Sequence, residues 1–354
     1  MGRGSSYVVF GGAGYIGTYL AALLLETGAR KIYLVDIKEP REDRWPALLR
    51  NAATLGAVQY IPADVRRPLV SDELPTSCDL IINLAAVHRE PGHAPYEYYE
   101  TNLHGAENVC EWAERVDCRS IVFTSSISPY GSGEAEKDER SLPVPETPYG
   151  GSKLVAEKNH IAWQRGSGDR RLVIVRPGVV FGPGEGGNVT RLVKGVLNRY
   201  FVYSGNRHTP KAGGYVKELC RAMLWVLEEQ EQTGEKVTLF NFTLDPPPTV
   251  EEYVRTICRV ANVRRWIPNF PFPALLGISY VIDGFSRMVG IHQPFSPMRI
   301  RNSVRPNNII PGYLRERGYK YQYTFEEALR DWREDRPEEW GSSRAAAKPG
   351  VVAG

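Results

Sequence analysis

Tyr149 and Lys153 stand four residues apart in Tyr149-Gly150-Gly151-Ser152-Lys153, and the run continues through Leu154-Val155-Ala156-Glu157-Lys158 without a proline. Positions i and i+4 of a helix share one face, so the phenol and the ammonium can serve a single proton transfer. An ammonium held beside the ring stabilises a tyrosinate. That would bring Tyr149 from the ordinary phenol value of about 10 toward the range where a general acid and base works near neutral pH. Ser126 is the third candidate. It ends the strand-like run Ile121-Val122-Phe123-Thr124-Ser125-Ser126 in hydroxyls, at the carboxyl end of a strand, where open α/β sheets bind ligands. A hydroxyl there can hold a reacting oxygen beside Tyr149. Spacing alone also fits a plain helix start and a turn serine, so the choice depends on the elements that come before.

Those elements form a nucleotide site. Tyr7-Val8-Val9-Phe10 reads as a buried strand that turns through Gly11-Gly12-Ala13-Gly14-Tyr15-Ile16-Gly17 into a helix over Thr18 to Ala29, and Lys31 to Val35 supplies the next strand. Gly11 suits the tight turn, Gly14 lets backbone approach a pyrophosphate, and Gly17 lets the helix pack on its strand. The helix N-terminus, with its free N–H groups, faces the phosphates. Asp36, about 20 residues past the glycines, is placed to accept from ribose hydroxyls and to repel a 2′-phosphate. NAD is therefore expected over NADP, although Lys38 and Arg41 are basic residues that can hold a 2′-phosphate. A nicotinamide cation beside Tyr149 would lower its pKa further.

The rest of the chain is consistent with an enzyme of this kind. Strand-like runs recur at Val58–Pro62, Asp79–Ala85, Ser120–Ser125 and Leu172–Arg176, and strands alternating with helical stretches predict a doubly wound parallel sheet of Rossmann type. After Pro177 the pattern loosens into Gly182-Pro183-Gly184-Glu185-Gly186-Gly187, a loop expected at a pocket edge. Residues 1–177, with 236–250, are expected to form the nucleotide-binding domain and 178–340 a substrate-binding lobe. Helices are expected at Val189–Arg199, Tyr215–Gln230, Val250–Ala261 and Phe325–Arg333, the last capped by Thr324. The tail 341–354 has no apolar periodicity and is expected to be disordered. With 44 basic against 41 acidic residues, no basic field marks a nucleic-acid binder. Five scattered cysteines show no metal-ligand spacing, so no metal is expected, and they suit a reduced cytoplasm. Phe270 to Ile291 is apolar but interrupted by Pro273, Asp283 and Arg287, which argues against a membrane span. It reads as a buried or amphipathic helix, with contact at a membrane surface as the other possibility.

Together these residues resemble the extended short-chain dehydrogenase/reductase family, in its nucleotide-sugar epimerase/dehydratase branch, over roughly residues 7 to 335. The resemblance rests on the glycine turn, Asp64-Val65-Arg66, Asn83-Leu84-Ala85-Ala86, Tyr99-Glu100-Thr101-Asn102, Ser125-Ser126 with Tyr130-Gly131, Tyr149 to Lys153, and Arg176-Pro177. It implies that Ser126, Tyr149 and Lys153 form the catalytic triad, with Lys153 also bonding the nicotinamide ribose. It further implies cofactor contacts from Gly11, Gly14, Tyr15, Ile16, Gly17, Asp36, Ile37, Asp64, Val65, Leu84, Ala85, Ala86, Asn102 and Pro177. Asp64 and Val65 would bracket the adenine, and Asn102 would steady the site. Substrate contacts are expected from His88, Ser126, Ser128, Asn188, Lys211, Arg299 and Arg301, and a homodimer from the helix of Tyr149 and the helix preceding it.

The departures narrow the reaction. Related dehydratases carry Asp-Glu after the catalytic hydroxyl residue and decarboxylases a Glu, whereas this chain has Ile127-Ser128. Redox chemistry at one carbon remains. The family's diphosphate-gripping arginine is matched in position only by Lys211, a point charge rather than a fork. Arg299, Arg301 and Arg305 either supply that grip or form a solvated basic loop. The expected reaction is C4 epimerisation of a nucleotide sugar, most simply a UDP-sugar, through a transient 4-ketone. A reductase or dehydrogenase acting on a nucleotide-linked keto sugar uses the same triad. A hydroxysteroid-dehydrogenase-like enzyme and a non-catalytic NAD-sensing protein are the remaining readings.

Overall fold

The structure, a computed structural model, describes residues 5–41, 45, 47–90, 92–289, 297, 301 and 304–341. The chain divides into two compact units: 1–180 with 209–248 and 305–321, and 181–208 with 249–304 and 322–354. The segments 209–235 and 305–321, which the sequence reading places beyond its single break after Pro177, thus pack with the nucleotide-binding half.

In the first unit, alternating apolar strands build a seven-stranded parallel sheet, with each strand but the last returning through a crossover. Its elements are β1 (Ser6–Phe10), α1 (Tyr15–Glu26), β2 (Lys31–Asp36), α2 (Ala47–Thr54), β3 (Val58–Pro62), β4 (Leu80–Asn83), α3 (Pro95–Arg115) and β5 (Ser120–Thr124). There follow β6 (Gly133–Lys137), α4 (Pro148–Arg165), β7 (Arg171–Pro177) and β8 (Val179–Phe181). After the excursion into the second unit come β10 (Gly213–Tyr215), α6 (Val216–Thr233), β11 (Val237–Phe242) and β13 (Asn307–Ile309). The strand order is β11-β7-β5-β4-β1-β2-β3. The order reverses between β1 and β4, which pair in parallel with Val9 opposite Ile82. At such a switch point the connections leave in opposite directions and open a crevice at the carboxyl ends of the strands.

Period-two alternation puts Val8, Phe10, Val35, Ile61, Ile81, Ile121, Phe123 and Ile174 into one core with Val109, Trp112, Ala113, Ala156 and Trp163 of α3 and α4. Phe10 meets Trp112 edge to face at 5.4 Å. The continuous apolar character of the strands follows from helices covering both faces of a parallel sheet.

The second unit holds α5 (Asn188–Leu197), β9 (Tyr203–Ser204), α7 (Val250–Ala261), β12 (Asn269–Phe270), α8 (Phe272–Val289) and a helix over Phe325–Asp335. Thr249 and Thr324 each cap a helix, with Glu252 and Glu327 closing the two capping boxes. Phe181, Tyr253, Phe325 and Trp332 form an aromatic core, with Tyr253 and Phe325 at 4.7 Å. The expected disordered tail lies, beyond Gly341, outside the described residues.

Candidate active site

The glycine turn is shaped by what surrounds it. Gly11 has φ of +73°, and a Cβ there would come within 2.8 Å of the Ala85 nitrogen and 2.9 Å of the Leu84 carbonyl carbon. The turn therefore lies directly against the Leu84–Ala85 backbone after β4, at the switch point. A Cβ on Gly17 would stand 2.6 Å from the Gly12 carbonyl oxygen, so α1 can start this close to β1 only with glycine there. Gly14 is the N-cap of α1 and offers no side chain to its first N–H groups, which fall in the turn of Tyr15, Ile16 and Gly17 and are suited to an anion.

Asp36 ends β2 beside this turn. The Lys38 N–H donates to its Oδ1 at 3.1 Å. Burial pushes its carboxyl up, and backbone N–H groups of Lys38, Ala13 and Ile37 oppose that shift. Ile37, Lys38 and Arg41 are exposed. Asp64 follows β3 and is gripped by Arg66, whose Nη2 lies 2.7 Å from Oδ2, and this bond holds its carboxyl below the usual range. Val65 is buried, and Asn108 donates to its carbonyl at 2.7 Å. The Ala85 N–H is fixed by Asn83 Oδ1 at 3.2 Å. At the end of β5, Thr124 Oγ1 is buried with no hydrogen-bond partner among the described residues. An uncapped helix start, an acid at the end of β2 and an unused buried hydroxyl make a donor set that fits a dinucleotide.

Tyr149 is set by a short, determined helix start. Thr147 caps α4 by accepting from the Gly150 N–H at 3.1 Å, with Pro148 in the first turn. The two glycines after Tyr149 have distinct reasons. A Cβ on Gly150 would meet the Ser128 carbonyl oxygen at 2.7 Å, and one on Gly151 the Tyr99 hydroxyl at 2.7 Å. They let α4 approach the loop after β5 on one side and α3 on the other. The result sets Tyr149 where the Ser126 hydroxyl acts on its phenol. Ser126 Oγ is held in turn by the Ser128 N–H and by Ser128 Oγ, each at 3.1 Å.

The sequence expects Lys153 to acidify Tyr149; in the chain by itself burial acts on the phenol in the other direction. Burial pushes the phenol up to about 12; the Ser126 hydrogen bond pulls it down, and Glu90 and Tyr98 push it further up. Desolvation of a phenolate outweighs one hydrogen bond. Burial likewise lowers the Lys153 ammonium to about 7, against the pull of Glu157. Lys153 Nζ lies 4.3 Å from the centre of the Phe123 ring.

Behind Lys153 is a buried network. Arg176 forks onto Glu157 at 2.8 and 2.6 Å, Ser125 Oγ donates to Glu157 at 2.5 Å, and the Arg176 guanidinium lies 4.6 Å from the Tyr130 ring centre. Glu157 stands at i+4 from Lys153 and i+8 from Tyr149, a spacing that could have identified it. Asn102 receives the Val87 N–H at 2.9 Å and donates to Ser152 Oγ at 2.9 Å. It therefore ties the loop after β4 to the first turn of α4. On that loop the exposed Glu90, absent from the sequence reading, has its carboxyl pushed up by partial loss of water, with Thr147 and Arg305 pulling it down. A carboxyl group thus does stand within electrostatic reach of Tyr149, supplied from a different strand end.

The expected substrate residues are dispersed. Ser126 and Ser128 are with Tyr149, and His88 lies on the loop after β4, where burial holds its ring pKa down. Lys211 is in the first unit; its ammonium donates to the Arg305 carbonyl at 2.5 Å and is lowered to about 8 by burial. Pro177 is buried, and its carbonyl accepts from the Ile127 N–H at 3.1 Å. Asn188 opens α5 in the second unit and accepts from Arg191 at 2.5 Å. Arg301, also in the second unit, donates to the Tyr280 hydroxyl at 2.7 Å. Arg299 lies outside the described residues.

Known proteins share this arrangement of elements. A UDP-N-acetylglucosamine 4-epimerase from Methanobrevibacter ruminantium M1, solved with UDP-N-acetylmuramic acid, superposes with a TM-score of 0.72 at 17% identity, over 96% of this chain and 100% of that one. The UDP-glucose 4-epimerase of Thermus thermophilus, solved with NAD, gives 0.68 at 18% over 96% and 99%. At these identities the likeness is one of fold. In sequence, the N-acetyl-alpha-D-glucosaminyl-diphospho-ditrans,octacis-undecaprenol 4-epimerase of Escherichia coli O157:H7 is 26% identical over 325 residues, 91% of this chain and 92% of its own. A family model covers residues 7–240, from the first strand through the glycine turn and the tyrosine helix to the last strand of the sheet. The chain belongs to the NAD dependent epimerase/dehydratase family.

Proposed function

We propose that the protein is an NAD-dependent epimerase that inverts C4 of a diphosphate-linked sugar through a transient 4-ketone. The observation carrying this reading is the close approach of α4 at Gly150 to the loop after β5, which sets Tyr149 where Ser126 acts on its phenol, in a chain whose residues after Ser126, Ile127-Ser128, lack the acid and base of an elimination. NAD, when bound, supplies the oxidation of C4 and its reversal. The α1 N-terminus at Tyr15, Ile16 and Gly17 binds the pyrophosphate, Asp36 beside Ile37 the adenosine ribose, and Asp64 with Val65 the adenine. Leu84, Ala85, Ala86 and Pro177 line the cofactor, and Lys153 bonds its second ribose. Tyr149 removes the C4 hydroxyl proton and returns it, while Ser126 holds the same oxygen. Asn102 keeps α4 in register with the loop after β4.

A net reductase would need dinucleotide from solution. An epimerase is redox-neutral over one cycle, so UDP-glucose or UDP-N-acetylglucosamine incubated with the protein as purified should give a mixture of C4 epimers by proton NMR, with no deuterium from solvent at C4. Consumption of added NADH with a 4-keto sugar, and no epimers, overturns the reading.

A second reading concerns the group beyond the diphosphate. The E. coli O157:H7 relative, aligned nearly end to end, is named for a polyprenol-linked sugar, and the exposed aliphatic residues of α8 are compatible with a lipid-linked substrate. Turnover of N-acetylglucosaminyl-diphospho-undecaprenol with inert UDP-sugars decides for it.

A further inference from the structure

Helix α8 turns an aliphatic face to solvent. A helix on a water-soluble unit turns its apolar stripe inward and its polar residues to solvent. Among the described side chains of α8 the buried one is Ser279, and Asp283 and Ser286 are on the half-buried side with Phe272, Leu275 and Leu276. Ile278 is 51% exposed, Val281 74% and Ile282 37%, with Tyr280 exposed beside them. The approach to the helix continues this character, since Trp266 is 88% exposed and Phe270 41%. Single exposed apolar residues need no explanation, but four exposed aliphatic and aromatic residues grouped on one helix, led in by a bare tryptophan, do.

The charge around it is one-sided. Between Asn262 and Val304 the sequence has five arginines, at 264, 265, 287, 299 and 301, and one acid, Asp283. Arg264 is exposed next to Trp266. Arg301 bonds the Tyr280 hydroxyl, with its guanidinium 5.9 Å from the ring centre, so a cation sits at the rim of the apolar face. Among the described residues no helix is long and apolar enough to cross a membrane. An aliphatic face edged by aromatic rings and arginines, too short of apolar residues to span, has the chemistry of a helix lying in the headgroup region of an anionic bilayer.

We propose that the α8 face docks the protein on the surface of an anionic phospholipid membrane, with Ile278, Val281 and Ile282 entering the acyl boundary, Trp266 and Tyr280 at headgroup level, and Arg264 and Arg301 on lipid phosphates. The inference holds whichever diphosphate-linked sugar is the substrate.

The test is flotation of the full chain with vesicles of phosphatidylcholine containing roughly 30% phosphatidylglycerol, against pure phosphatidylcholine, at ~0.1 and ~0.5 M salt. Wild type should float with the anionic vesicles, less at high salt, and stay behind with the neutral ones. Ile278→Glu with Val281→Glu should weaken binding by at least about tenfold, and Trp266→Ala, outside any helix, should weaken it less. NAD affinity and far-UV circular dichroism should be unchanged in both, which separates lost docking from lost folding. The proposal is overturned if wild type does not bind anionic vesicles, or if both variants bind as wild type does. It is also overturned if the glutamate pair turns a dimer into a monomer with no change in vesicle binding, which would make the face a contact between copies.

Discussion

Glu157→Gln separates two jobs done by one buried carboxylate. Its side chain is 3% exposed and that of Arg176 5%, and the fork between them is bidentate. Removing one partner of such a pair leaves a buried, uncompensated charge and costs about 3–5 kcal/mol, and the amide retains enough hydrogen bonding to keep the loss near 3. In a chain of 354 residues that is a fall in Tm of about 4 °C by calorimetry. The second job concerns Lys153. Burial lowers its ammonium to about 7 and Glu157 pulls it back up, so removing the carboxylate moves the pKa below 7. The ammonium is then lost at lower pH, and the alkaline limb of kcat/KM moves toward acid. At an effective dielectric of about 20 and the ~6 Å of an i, i+4 pair, one charge is worth about 2–3 kcal/mol, so the limb moves by at most roughly 2 pH units. The variant Glu157→Gln with Arg176→Met distinguishes the effects: deleting both charges should restore most of the lost Tm and leave the limb displaced. A single variant with unchanged Tm and an unmoved limb would refute the argument.

Other perturbations test other parts of the site. Tyr149→Phe should lower kcat by several orders of magnitude while NAD affinity by titration stays within about threefold, because the hydroxyl is lost and the glycine turn is untouched. Asp36→Ala should weaken NAD and narrow its preference over NADP, and equal binding of both by the wild type would transfer the argument to Lys38 and Arg41. Glu90→Gln removes a negative charge that raises the Tyr149 phenol, so the pH at which activity rises with phenol ionisation should move down. An unmoved profile would mean that Glu90 does not bear on the reacting proton. Sedimentation should give a dimer in which Leu154 and Ile161, half-buried, and the exposed Val155 of α4 lie at the contact with Ala162; about 40 kDa at micromolar concentration rejects it.

Some of this was legible because the constraint is local. The strand-turn-helix of Phe10 to Gly17 needs small residues wherever backbone meets backbone, and Gly11 against Leu84–Ala85 shows why no other residue serves. The i, i+4 pairing of Tyr149 and Lys153 needs only helix geometry. The return of 209–248 and 305–321 to the first unit left no local mark, since it depends on pairings such as β11 on β7 and β13 on β6, between residues far apart in the chain. The helical character of α8 was readable from its composition. Which side of it meets water was not, because the unit that covers one side is built from other segments.

The protonation states show where sequence reasoning has to stop. Reading Lys153 as an acidifier of Tyr149 treats both groups as charges at a fixed spacing, yet the shift of a buried group is set first by the water it loses. Tyr149 at about 12 and Lys153 at about 7 are both displaced toward their neutral forms, which is what desolvation does to an acid and a base alike. The resting chain thus favours the neutral phenol and loosens the lysine's hold on its proton. The proton relay has to be completed by what binds. The same dependence explains the placement of Glu157: its carboxylate, bonded by Arg176 and Ser125 in the core, pulls the Lys153 ammonium back up against burial. If that is its function, Lys153 should titrate about pH 7 in the wild type when followed by 15N-labelled lysine NMR without cofactor, and its midpoint should fall in Glu157→Gln while other lysines do not move. A Lys153 midpoint near the ordinary value of about 10.4 would mean that water reaches the ammonium, and the account of the buried relay would fail with it.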